Sequence, residues 1–150
     1  MTYRAFADKL LDLCEHRGEE IAERWYKAVS ENPRTPSYHS FPQKECISRA
    51  ASVYRNLKQA FFAENPYQEV TELLERVHYV EDFYAKGIPL PEVIYGLIMM
   101  RRHIWLYAEL QALFSTPIDI QQGIESINRT LLLFDYIMYI VTQKYQEKAG

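Results

Sequence analysis

Eight apolar residues near the C-terminal end repeat at alternating steps of four and three: Ile120, Ile124, Ile127, Leu131, Phe134, Met138, Val141 and Tyr145. A mean spacing near 3.5, held over more than three heptads, is the seam of a long helix packed against neighbours. Leu133, Ile137 and Ile140 add a second ridge, ending at Lys144, so the helix has more than one packed face. The stretch from Ile124 to Val141 is apolar enough to raise the question of a membrane span. Glu125, Arg129 and Asp135 interrupt it, whereas a span needs about 20 residues with few or no charges. It reads as the central helix of a bundle. Its seam has two uses: packing inside its own domain, or a homodimer contact through Ile124, Ile127, Leu131, Phe134, Met138 and Val141.

The remainder of the chain is helical by the same test. Helix breakers are bunched, and there are only five glycines. A first helix is expected from about Tyr3 to Ser30, with Gly18 a weak point, ended by Pro33 and Pro36. A second starts near Ser40, where Ser40 and Gln43 have capping-box spacing. Asn65-Pro66 opens a third, which runs to a stop at Gly87. Pro89 or Pro91 starts a fourth, ending near Phe114. Thr116, Pro117 and Asp119 open the fifth, as N-cap, N1 and N3. No strand pair with a hairpin turn is present. The expectation is an all-α fold: one domain over residues 1–150, a bundle of about five long helices, globin-like in size.

Composition limits function more than it names one. The 150 residues carry 17 Lys+Arg and 20 Asp+Glu, a net charge of −3, which argues against a nucleic-acid footprint. Cys14 and Cys46 form no CxxC pair, and the N-terminus lacks the apolar core of a signal peptide. A cytoplasmic protein is expected. HExxH, GxSxG, GxGxxG and the phosphate-cradling loop are all absent. No catalytic residue, metal site or cofactor is therefore assigned.

Two constellations remain. Arg101 interrupts the apolar stripe of the fourth helix and Asp135 the most apolar run of the fifth; buried charges need partners. Either Arg101 or Arg102 bridges to Asp135 across the two helices, or Arg101 meets the anionic group of a ligand in a cavity lined by Trp105, Tyr95 and Phe134. His78 and His103 lie beside apolar residues, and one such histidine is the minimum for an axial haem ligand. The alternative function is accordingly a haem-binding, globin-like gas or redox sensor.

Ile21-Ala22-Glu23-Arg24-Trp25-Tyr26, the turn Gly87-Ile88-Pro89-Leu90-Pro91-Glu92-Val93-Ile94, and the following helix with Arg101-Arg102 and Trp105 are ordered along the chain. In this layout the sequence resembles the N-terminal sensor domain of RsbR-type stressosome co-antagonists, the RsbRD N-terminal domain family. Tyr84 departs from it, standing where a basic residue is expected. The resemblance implies a non-enzymatic signal-input domain, globin-like without haem, that dimerises through helices and answers a ligand or a protein partner. Such domains are attached to an output module such as a STAS domain. Here the chain ends at Gly150, so an excised domain or one acting alone is expected.

Overall fold

The computed structural model of the chain describes residues 4–111 and 113–150. Among them are seven α-helices and no strand: α1 Arg4–His16, α2 Gly18–Glu31, α3 Gln43–Phe61, α4 Pro66–Arg76, α5 Tyr79–Ala85, α6 Leu90–Leu110 and α7 Pro117–Ala149. A 3₁₀ turn, Pro36–Ser40, lies between α2 and α3. The chain is all-α, as its periodicity predicts, but two of the five expected helices are each divided. The expected start of the first, at Tyr3, lies outside the described residues.

The first division falls at Arg17, which leaves helical geometry (φ −119°, ψ 19°) before α2 begins at Gly18. A Cβ at Gly18 would lie 3.0 Å from Arg55 Cγ and 3.2 Å from the Ala51 carbonyl oxygen. Glycine here lets α2 press against α3. The second division falls at His78, whose backbone is left-handed (φ 54°, ψ 40°). That conformation costs a non-glycine residue about 1–2 kcal/mol. In return the chain turns, and Tyr79, Val80 and Phe83 all enter the core.

The caps divide in the same way. Asn65 Oδ1 accepts the Gln68 N–H at 3.2 Å. Thr116 and Asp119 close a full capping box, each side chain accepting the other's backbone N–H at 3.1 Å. Hydrogen bonds from Thr116, then Ser115, hold the Asp119 carboxyl below its ordinary range. The box expected at Ser40 and Gln43 does not form. Ser40 ends the 3₁₀ turn, and α3 starts at Gln43 behind Pro42. Burial of Tyr38 and Phe41 draws this segment inward and takes the cap geometry away.

α3 packs on α1, α2 and α4, and α7 on α1, α4 and α6. Within the core, three aromatic donors reach carbonyls of α6 or its entry turn. Trp25 Nε1–H donates to Gly96 O at 2.8 Å, Tyr54 O–H to Met100 O at 2.8 Å, and Tyr145 O–H to Ile88 O at 2.9 Å.

The 33-residue α7 is about 50 Å long, and its two halves bury different kinds of residue. Inward positions run Gly123, Ser126, Thr130, then Leu133, Phe134, Ile137, Ile140, Val141 and Tyr145. Of the expected seam, only Phe134, Val141 and Tyr145 are buried, while Ile120 and Ile124 are more than half exposed. The reason is close approach. A Cβ on Gly123 would lie 2.7 Å from Phe114 Cε1 and 3.6 Å from Phe6 Cζ, so only small residues fit inside.

A second tight contact gives a test. A Cβ at Gly96 would meet Tyr38 Oη at 2.5 Å and Cζ at 3.0 Å. Gly96→Ala is therefore expected to cost about 1–3 kcal/mol by overpacking, read from denaturant midpoints. In a Tyr38→Phe background the same change should cost less, because the atom met first is gone.

Candidate functional site

The end of α6 and the start of α7 are joined by a short connection, so the two helices run antiparallel. Arg101 Nη1 lies 3.8 Å from Asp135 Oδ1 across the pair, with the side chains 24% and 62% exposed. The bridging account is thus the geometry found, and it is a surface bridge. Asp135 is not buried, against the expectation from its apolar surroundings. Phe134 and Ile137 point into the core, and Asp135 lies on the side of the helix that faces water.

The residues expected to line a ligand cavity beside Arg101 pack against other side chains among the described residues. Phe134 is wholly buried in the core. Trp105 is half-buried, stacked on Phe6 with 6.5 Å between ring centroids and set against Phe114 at 6.0 Å. Tyr95 is also partly buried against the core. None of the four main grooves among the described residues is lined by Arg101, Trp105, Tyr95, Phe134 or Asp135.

His78 is exposed and His103 is half-buried. His78 projects from its turn, 3.7 Å from Glu81 and 69% exposed. The groove beside it, of ≈ 380 Å³, has Leu74, Val80 and Ile140 in its lining, but five charged residues, Glu75, Glu81, Lys144, Glu147 and Lys148, share it. His103 donates from Nδ1 to Met99 O at 2.8 Å, and burial pushes its pKa below the ordinary histidine value. Trp25, Tyr38, Tyr54, Tyr79 and Phe83 fill the centre of the bundle. These residues do not fit haem. Among the described residues no cluster of His, Cys, Asp and Glu is arranged for a metal ion. Cys14 and Cys46 are buried free thiols, each pushed by desolvation up to about 12.

The surface at the α6–α7 tip is different in kind. Of nine large hydrophobic residues exposed among the described ones, five lie there: Leu106, Leu110, Ile118, Ile120 and Ile124, between 50% and 64% exposed. These five stand close together in the sequence around the α6–α7 connection, and the other four exposed large hydrophobic residues are spread over α4, α5 and the later turns of α7. Ile127, Leu131 and Met138 continue along α7 half-buried. Phe134 and Val141, expected in a dimer contact, are fully buried and are core residues. Leu106, Leu110 and Ile118 were not foreseen. The four-residue step from Leu106 to Leu110, off the main α6 stripe, was the available signal.

Comparison with known proteins finds no family model, no curated protein and no solved structure that matches the chain. No helix among the described residues is long and apolar enough to cross a membrane.

Because Asp135 is mostly solvated, the bridge is worth little. Asp135→Asn is expected to change unfolding free energy by less than about 1 kcal/mol. A larger loss by chemical denaturation would mean that Arg101 depends on this partner.

Proposed function

We propose that the chain is a non-enzymatic, cytoplasmic signal-input domain of the RsbRD N-terminal type that it resembles. In this reading it dimerises through the outer face of α6 and α7, and a ligand or protein partner shifts the packing of those helices. The carrying observation is the concentration of exposed Leu and Ile at the hairpin tip, beside a core whose own packing is complete without them. In a second copy, Leu106, Leu110, Ile120 and Ile124 would bury apolar area at roughly 25 cal/mol per Å². The half-buried Ile127, Leu131 and Met138 extend the contact along the helix.

Both cysteines are buried free thiols whose ionisation burial disfavours, so this reading gives neither of them a nucleophile's role. Haem sensing has less support, since the histidines face solvent or the flank of α6 and the interior is filled with aromatic rings.

Native mass spectrometry of the purified protein is expected to give a dimer at micromolar concentration. Leu110→Glu with Ile124→Glu should give a soluble monomer with unchanged helical circular dichroism, because both positions are exposed in the single chain. A wild-type monomer, or a double variant that remains dimeric, overturns this interface. Added hemin should give no Soret band that His78→Ala or His103→Ala removes; such a band would restore the haem reading.

A further inference from the structure

The largest groove among the four, ≈ 530 Å³, lies between α2 and α3, away from the α6–α7 face. Its volume falls in the range of small-molecule sites, about 300–1,000 Å³. Half-buried Ile47 and buried Ala51 contribute apolar surface. Glu19 and Glu23 line it from α2, while Lys44 and Arg55 line it from α3.

Charge on α3 elsewhere is closed by a partner. Lys58 pairs with Asp12 of α1, Arg49 with Asp82 of α5 at 2.6 Å, and Glu45 with Lys86 at 3.0 Å. In the groove, two carboxylates face two cations, and none of the four makes an ion pair or hydrogen bond among the described residues. Glu19 and Glu23 sit one turn apart on one wall, whereas Lys44 and Arg55 are eleven residues apart, about 16 Å along the axis of the other. Arg55 stands at the Gly18 end, and Lys44 toward the opposite end of α3.

We propose that this groove binds a free amino acid with an apolar side chain. The ammonium sits against Glu19 and Glu23, and the carboxylate is taken by the guanidinium of Arg55, whose paired N–H groups match a carboxylate. The side chain lies over Ile47 and Ala51, toward Lys44. A ligand with one charge leaves one wall unanswered, so the site selects the zwitterion. This supplies a ligand for the signal-input reading and rests on that reading only for its consequence; binding is measured without reference to dimerisation.

The test is calorimetric titration of the full chain with L-leucine, alongside 4-methylpentanoate, which lacks the ammonium, and 3-methylbutylamine, which lacks the carboxylate. Leucine is expected to bind saturably, with both truncated compounds at least tenfold weaker. Glu23→Gln and Arg55→Gln are each expected to weaken leucine at least tenfold. Both side chains are exposed, so the variants should keep the wild-type circular dichroism. Absence of saturable leucine binding overturns the proposal. So does equal binding of either truncated compound, or leucine binding that both variants retain. Dimer mass, read separately on the same samples, reports on the α6–α7 interface and is independent of these outcomes.

Discussion

Trp25 from α2, Tyr54 from α3 and Tyr145 from α7 each place a buried hydrogen on a carbonyl of α6 or its entry turn, at 2.8–2.9 Å. Each pairing satisfies a polar tip that would otherwise be stranded in an apolar interior, at a cost of about 1–3 kcal/mol. The three donors also fix rotation and height of α6 against three neighbours, which apolar contacts alone leave adjustable. Gly96 belongs to the same arrangement. Its carbonyl takes the Trp25 indole, and its missing side chain leaves room for the Tyr38 ring. The position of the α6–α7 tip follows from this anchoring, since α6 carries Leu106 and Leu110 outward at its far end.

The same aromatic packing accounts for what the interior cannot hold. Tyr38, Phe41, Phe83 and Tyr79 form a run of ring contacts with centroids 4.4–6.4 Å apart. An interior filled to this extent has no slot for a flat macrocycle. The outer surface differs from this interior, with exposed Leu and Ile at the α6–α7 tip and a groove between α2 and α3 that carries opposed charges.

Sequence patterning carried the helices whose ends are set by local chemistry. The Thr116–Asp119 box, the Asn65 cap and the Gly87 turn, with φ 75°, depend on residues within a few positions of one another. The break at His78 was not legible, because the apolar stripe from Val70 through Val77 continues in phase to Val80 and Phe83. Histidine is enriched among left-handed non-glycine residues, yet one histidine inside an apolar stripe does not by itself mark a break. The Ser40–Gln43 spacing was legible and misleading: burial of Tyr38 and Phe41 outweighed a cap worth about 1 kcal/mol. For the candidate site, a bridge from Arg101 or Arg102 to Asp135 was legible from two interrupted stripes, and the fold selects Arg101. The bridge's solvent exposure was not, since one residue of offset on a helix turns a side chain by about 100°.

The reversal along α7 changes what substitution tolerance means on that helix. Ranked by hydropathy, Gly123 is dispensable and Ile124 essential. Packing ranks them the other way, since the ring of Phe114 closes over the glycine while the isoleucine faces outward. The first turns of α7 therefore separate two kinds of constraint on adjacent residues. Inward positions answer to the volume available inside one chain, and outward positions answer only to what the surface meets. A sequence could drift freely at Ile120 and Ile124 and still fold. The persistence of large apolar side chains there would record selection for contact rather than for stability.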